Sequence, residues 1–341
     1  MRTIIYGAGS LGTVMGAVVS KNGGECTLVD ANKAHVDFLN EHGATVTGYM
    51  DIKNAPVKAI TPDQLEGIYD LVIVLLKQTA NQAALTKLLP YLDENSTVCT
   101  LQNGIPEENV AKIVGAERTI GGSVRWGAGW KEPGVSELYT DPKFMRVEIG
   151  SMTGEITENV KKAESFLKYA GEVEVNTNLT GVRWSKLLMN AALSGMSAAT
   201  GSTFGDVIDD DKAVTLAAHV ANELILTARA KGVKMEIIVP GRNFLDLEFH
   251  DEKGRENSIA WLRDFYSTDR PQKASMLQDM EKNIPCEIDY INGQLAENGD
   301  KYGVDTPVCD TIIKIVKDFE AGKIPFPTMD CLKYFEIPEI K

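Results

Sequence analysis

Arg2-Thr-Ile-Ile-Tyr6, Gly7-Ala-Gly9-Ser-Leu-Gly12, Thr13 to Lys21 and Cys26-Thr-Leu-Val-Asp30 follow one another at the start of the chain, and their reading decides the fold. The first run is short and β-branched, a strand. The glycine run follows at once, the next stretch can be helical, and the fourth is a second strand closed by an acid. This is GxGxxG in its full strand–turn–helix–strand context, the arrangement by which a parallel α/β fold holds a dinucleotide. Gly7 makes the tight turn, Gly9 leaves room for the pyrophosphate, and Gly12 lets the helix pack closely on the sheet. Ala8, Ser10 and Leu11 complete the loop at the helix N-terminus, where backbone N–H groups face phosphate. Asp30, 18 residues past Gly12, can accept hydrogen bonds from ribose hydroxyls and would repel a 2′-phosphate, which favours NAD over NADP. A plainer account makes Asp30 the N-cap of the helix beginning near Asn32.

Outward from this stretch, strands and helices alternate. A helix near Lys33 to Glu41, a strand at Ala44 to Thr47 and the apolar run Leu71-Val-Ile-Val-Leu-Leu76 follow, then a helix over Ala80 to Leu89 and a strand at Thr97 to Leu101. Leu71 to Leu76 reads as a parallel strand buried on both faces. Such alternation predicts a doubly wound Rossmann-type sheet covered by helices. Gly134 to Tyr139 and Phe144 to Ile149 read as antiparallel strands completing that sheet. A helix over Thr157 to Ala170 and a strand at Val173 to Asn176 close a first domain, 1–177. The remainder, 178–341, has helical periodicity throughout: Val182 to Met196, Ala213 to Lys231, Ser258 to Asp264, Ile288 to Tyr302 and Thr306 to Ala321. The expected architecture is α/β, a dinucleotide-binding domain followed by an all-α substrate domain, with the active site in the cleft between them.

Composition narrows the classes of partner. With 341 residues there is room for two domains. A net charge of −13 argues against nucleic acid or an anionic membrane, each of which needs a basic footprint. Five scattered cysteines without metal spacing suit reduced thiols in a cytoplasm. No metal site is expected, and His35, His42, His219 and His250 read as surface residues.

Four places can carry chemistry. Lys77 and Asn103 sit directly after strands, at the carboxyl ends where open parallel sheets bind ligands, although polar residues there also serve ordinary turns. Lys186, Asn190 and Ser194 fall at i, i+4 and i+8 of a helix otherwise apolar nearly all round, so they form one polar strip. A lysine facing a cleft from such a helix has its pKa lowered by desolvation and becomes a usable proton donor; the alternative is a lysine snorkelling to the surface. Ser275 lies in Lys273-Ala-Ser275-Met-Leu-Gln-Asp279. Glu287 and Asp289 precede the helix from Ile288, and the simplest account is that they cap it and complement its dipole.

Taken together, Gly7-Ala-Gly9-Ser-Leu-Gly12, Leu76-Lys77, Gln102-Asn103-Gly104, Trp184-Ser-Lys186-Leu-Leu-Met-Asn190, Ser275-Met-Leu-Gln-Asp279 and Glu287-Ile-Asp-Tyr-Ile-Asn-Gly293 resemble the ketopantoate reductase (2-dehydropantoate 2-reductase) family over essentially the whole chain. The resemblance implies NAD(P)H-dependent reduction of the 2-oxo acid 2-dehydropantoate to (R)-pantoate. It makes Lys186 and Glu287 the catalytic residues, Lys186 as general acid to the ketone oxygen and Glu287 helping to bind substrate. Ser275 matches a contact to the substrate carboxylate, and Lys77, Asn103 and Asn190 match positions that hold cofactor and substrate. Three positions depart from the family pattern. Asp30 stands where many members have a basic residue just beyond the second strand and prefer NADPH. Ser194 replaces an asparagine often found two turns past the lysine, and Gln272 replaces another three residues before the serine. NAD-dependent D-2-hydroxyacid dehydrogenases of the D-mandelate type, acting on other branched or aromatic 2-oxo acids, are the alternative these changes suit. A non-catalytic dinucleotide sensor is a third reading. A homodimer is compatible with the helical second domain.

Overall fold

The computed structural model describes residues 1–340, and it divides into two compact units, Met1–Gln102 with Pro106–Leu179, and Asn103–Ile105 with the chain from Thr180 onward. In the first unit the strands are β1 (Thr3–Tyr6), β2 (Thr27–Val29), β3 (Ala44–Gly48), β4 (Ile52–Ala55), β5 (Lys58–Ile60), β6 (Leu71–Val74), β7 (Thr97–Thr100), β8 (Thr119–Val124), β9 (Ala128–Glu132), β10 (Val135–Leu138), β11 (Arg146–Ser151) and β12 (Glu172–Val175). Its helices are α1 (Ser10–Lys21), α2 (Lys33–His42), α3 (Asn81–Leu88), α4 (Glu107–Val114) and α5 (Glu158–Leu167).

The main sheet runs β12-β11-β8-β7-β6-β1-β2-β5. From β5 to β8 every pairing is parallel, and β11 joins β8 antiparallel. Read outward from β1, the parallel part has the doubly wound order, with its switch point between β1 and β6. Alternate residues feed opposite faces: Ile5, Leu71, Ile73 and Cys99 enter one buried cluster, and Ile4, Tyr6, Val72, Val74 and Val98 the other. Strands buried on both faces explain the unbroken aliphatic runs.

Two expectations for this unit are corrected. The stretch Gly134 to Tyr139 does not complete the main sheet. Its strand β10 lies in a separate four-stranded sheet, β4-β3-β10-β9, parallel to β3 and antiparallel to β9. Ala44 to Thr47 is likewise in this second sheet as β3, and the outer parallel strand is β5. The chain turns back at Gly48, with φ +83°, and a β3–β4 hairpin precedes the return to the main sheet. Phe144 to Ile149 does complete the main sheet, as β11.

The second sheet packs on α1, which also lies on the main sheet. Every residue from Gly12 to Val19 is therefore buried. The helix that opens at the glycine loop is held from both sides.

The second unit is helical: α6 (Leu179–Met189), α7 (Gly195–Thr200), α8 (Phe204–Asp209), α9 (Asp211–Lys231), α10 (Glu252–Phe265), α11 (Ser275–Glu281), α12 (Asn292–Tyr302) and α13 (Pro307–Glu320). It has one large apolar cluster, centred on α6, α7 and α9. No helix among the described residues is long and apolar enough to cross a membrane.

Candidate active site

The glycine loop has the geometry its spacing demands. Gly7 has φ +107°, and a Cβ there would lie 2.6 Å from the backbone nitrogen of Leu76, so the loops leaving β1 and β6 touch at the switch point. Gly12 is tighter, since a Cβ would lie 2.0 Å from the carbonyl oxygen of Gly7. A Cβ on Gly9 would meet nothing within 4 Å. The space beside Gly9 is open while the loop around it is packed, and the first-turn N–H groups of α1 have no intrahelical acceptor. That cradle fits a pyrophosphate. Asp30, half-buried at the end of β2, accepts a hydrogen bond from the Asn32 backbone N–H at 2.9 Å. It is not the cap of α2; Asn32 is, its side chain accepting from the His35 N–H.

At the neighbouring strand ends, Lys77 is exposed and Asn103 half-buried. Their backbones are fixed by a buried amide pair that the sequence reading passed over. Gln102 Nε2 donates to the Leu76 carbonyl at 2.8 Å and to Asn81 Oδ1 at 2.7 Å, and Asn81 Nδ2 donates back to Gln102 Oε1 at 3.1 Å. Thr100 Oγ1 adds a bond to the same Oε1 at 2.9 Å. Each buried polar group thus finds its partner, and the residues before Lys77 and Asn103 are tied together.

In the helical unit, Lys186, Asn190 and Ser194 share one face. Between Gly181 and Thr200 only these three and Met189 escape full burial, so the polar strip is the one partly open line on an otherwise enclosed helix. The helical run is not uniform, because Asn190–Ser194 is a π-helical turn between α6 and α7. Eight residues of regular α-helix would rotate Ser194 about 80° past Lys186. A π turn, with its i→i+5 bonding and roughly 4.4 residues per turn, swings it back to within about 10°. Such turns gather at functional positions. Helix α11, with exposed Ser275 as its first residue, packs on this turn.

Glu287 is 4% exposed and makes no capping hydrogen bond to the 3₁₀ turn Ile288–Tyr290 that it precedes. The capping account of Glu287 and Asp289 is therefore corrected. Asp289 reaches away to Lys317, at 2.6 and 2.8 Å, and the expected helix from Ile288 breaks at Ile291 before α12 starts.

The reading of all four histidines as surface residues is also corrected: His42 and His250 are exposed, but His35 and His219 are buried. Burial, with the Arg255 charge adding, lowers His219 to about 4. His35 bears on the glycine loop. Its Nδ1 accepts the Gly134 N–H at 2.9 Å, so Nε2 carries the proton and donates to the Ala8 carbonyl at 2.7 Å; Thr13 Oγ1 donates to the same oxygen at 2.7 Å. Nothing in the sequence around His35 signals this, because its cover comes from the β9–β10 turn a hundred residues away. Burial holds the His35 pKa below its ordinary 6.5, against the pull of the Ala8 bond and the Asp30 charge. The folded chain therefore keeps it neutral, and its contribution is complete above pH 6.5 and is lost as pH falls below that. His35→Leu, which leaves the Gly134 N–H unpaired, is expected to lower stability by about 1–3 kcal/mol at pH 8. In melts at pH 5.5 the gap to the unmutated chain should narrow; a gap that widens in acid would show that His35 is charged in the fold.

A glycine-loop dinucleotide unit joined to a helical unit bearing a lysine–asparagine strip defines a class of nucleotide-dependent oxidoreductases. Residues 3–153 match the family model described as ketopantoate reductase PanE/ApbA, and residues 178–320 match that for its C-terminal part. The chain belongs to the ketopantoate reductase family. Among curated relatives, the 2-dehydropantoate 2-reductases of Lactococcus lactis and Pyrococcus horikoshii are each 28% identical, covering 94% of this chain and 98% of theirs. Among solved structures, D-mandelate dehydrogenase with NADH and anilino(oxo)acetate superposes with a TM-score of 0.80 at 24% identity, over 94% of this chain and 99% of that one. The 2-dehydropantoate 2-reductase of Geobacter metallireducens does so at 0.79 and 24%, over 94% and 100%. At these identities the structures speak for the fold, a Rossmann-type unit followed by helices.

Proposed function

We propose that this chain reduces the C2 ketone of 2-dehydropantoate to give (R)-pantoate. The observation that carries the proposal is the strip Lys186–Asn190–Ser194, a cation, an amide and a hydroxyl in one line on a helix enclosed everywhere else. A bound NADH or NADPH supplies the hydride. Gly7 to Gly12 would hold its pyrophosphate, Asp30 its ribose, and Lys77 and Asn103 would line its substrate edge. Lys186 would then give a proton from Nζ to the ketone oxygen as the C2–H bond forms, leaving a neutral amine and an alcohol. Before transfer the same ammonium attracts the substrate anion and stabilises charge developing on the oxygen. Asn190 and Ser194 would orient the ketone and carboxylate, Ser275 would meet the carboxylate, and Glu287 would accept from the substrate's terminal hydroxyl.

Asp30 supports NADH over NADPH, since a carboxylate repels a 2′-phosphate, and D-mandelate dehydrogenase, whose structure holds NADH, marks the second reading: an NAD-linked D-2-hydroxyacid dehydrogenase for other branched or aromatic acids. We place the enzyme in the cytoplasm, in keeping with free thiols at Cys26, Cys286, Cys309 and Cys331, and as a homodimer; the Staphylococcus aureus ketopantoate reductase, which shares its fold, is dimeric.

Initial rates with NADH and with NADPH separate the readings, comparing 2-dehydropantoate with 2-oxo-3-methylbutanoate, which lacks only the hydroxymethyl arm. A preference of about a hundredfold for 2-dehydropantoate is expected if a buried group hydrogen-bonds its hydroxyl. Equal rates, or a preference for the shorter acid, would overturn the assignment in favour of the D-2-hydroxyacid dehydrogenase.

A further inference from the structure

The π turn at Asn190–Ser194 changes the backbone bonding at its end, and a buried side chain to which no role has been given bonds to it there. In a regular α-helix the Gly195 N–H would bond to the Ala191 carbonyl; here it goes to Ala192 instead. The Ala191 carbonyl receives the side chain of Asn292, whose Nδ2 lies 3.0 Å away. Asn292 is the first residue of α12 and is completely buried. Its side chain lies flat against the helix only because residue 195 is glycine: a Cβ there would come within 2.8 Å of Nδ2 and 3.0 Å of Oδ1. From the far side Cys309 closes the arrangement, its Sγ donating to the Asn292 carbonyl at 3.3 Å.

Two observations thus converge on one contact, a carbonyl that the Gly195 N–H does not take and a gap without a Cβ, both met by the same amide. The contact also joins two stretches of chain. The strip lies on one side of it. On the other, five residues before Asn292, is Glu287, at the head of the turn that leads into α12.

We propose that Asn292 is a positioning residue, which stabilises the π turn and thereby keeps Ser194 in line with Lys186 and Asn190 and at a fixed distance from the Glu287 turn. This rests on the reading of Lys186 as proton donor. Without the Nδ2 donor the buried Ala191 carbonyl loses its side-chain hydrogen bond, and the run relaxes toward a regular α-helix. That rotates Ser194 and everything after it out of line. The hydrogen bonds of Asn292 go to Ala191 and Cys309, neither of which is assigned to the dinucleotide, so its loss should be felt in turnover and in the oxo acid KM alone.

The test is a double-mutant cycle in the full chain with Asn292→Ala, Lys186→Ala and both, using 2-dehydropantoate and NADH. Asn292→Ala is expected to lower kcat 10- to 100-fold and raise the oxo acid KM, with the Kd for NADH, read from its fluorescence, unchanged within about twofold. Adding it to Lys186→Ala should lower kcat by less than about threefold more, because the alignment of Ser194 serves to present the ketone to Lys186, and without that donor it has no proton transfer to assist. A purely structural role predicts losses that multiply, or an NADH Kd that weakens in step; either overturns the proposal, as does an unchanged kcat in Asn292→Ala. If Lys186→Ala alone keeps full turnover, the proton-donor reading fails first and takes this proposal with it. Should Asn292→Ala not fold, as judged by circular dichroism, Gly195→Ala takes its place in the cycle, displacing the amide without removing a hydrogen-bonding group.

Discussion

With Lys186 replaced by alanine, kcat for 2-oxo acid reduction should fall by about 10²- to 10⁴-fold, the range in which positioned general acids act, while the Kd for NADH stays within about twofold. The asymmetry follows from where the residue lies. Lys186 stands on a half-open strip of the helical unit, and the loop proposed for the dinucleotide is built from Gly7 to Gly12 in the other. Its neighbours Gly181 to Ser185, Leu187 and Leu188 are buried, so the truncation removes a polar end from the strip and leaves the packing beneath it. A fall in kcat with intact NADH binding is the mark of an interaction made in the transition state. Stopped-flow hydride transfer measured beside steady-state kcat would show whether the loss is in the chemical step. Retention of turnover within tenfold would sink the role of Lys186, and retention of a biological function by a chain that turns nothing over would favour a sensor.

The second large effect is expected in the glycine loop, where two substitutions that look alike should behave differently. A Cβ on Gly12 would lie 2.0 Å from the Gly7 carbonyl oxygen and 3.0 Å from its carbonyl carbon. Both are backbone atoms, and neither can rotate aside. Nor can α1 retreat, since it is covered by the main sheet on one side and the second sheet on the other. Gly12→Ala should therefore both abolish NADH binding, by at least about a hundredfold, and lower the melting temperature by several degrees, as backbone overpacking of a few kcal/mol does. Gly9→Ala meets nothing within 4 Å, and its fold should melt as the unmutated chain does while NADH binding is lost to a similar extent, because the methyl group fills the space left for pyrophosphate. Equal melting and equal binding in Gly9→Ala would show that the dinucleotide does not approach there.

How much of this was legible in the sequence depended on whether the signal was local. The β1–loop–α1–β2 unit was readable because its strand, turn, helix and second strand are contiguous and Gly12 packs on the Gly7 carbonyl of the same loop, and β6 because burial on both faces writes an unbroken aliphatic run. The membership of β3 and β10 was not, since alternation reports one buried face without saying which sheet it belongs to. Strand β5, three residues long, is too short to carry a period. The polar strip was found by assuming α-helical spacing, and the π turn improves the alignment in a way no period could announce. His35, Gln102 and Asn292 owe their importance to partners far along the chain: Gly134 for the first, Leu76 and Asn81 for the second, Ala191 for the third. Each looks in sequence like an ordinary polar residue in a turn or helix.

The placement of α1 between two sheets has one more consequence, for how freely this chain can vary. A surface helix normally has an outward stripe on which substitutions accumulate at little cost, so that tolerance rises and falls every three or four residues. From Gly12 to Val19 this helix has no such stripe. Its eight consecutive positions form a stretch in which drift is blocked in every direction, and a saturation library across it should return a flat band of intolerance where most helices return a wave.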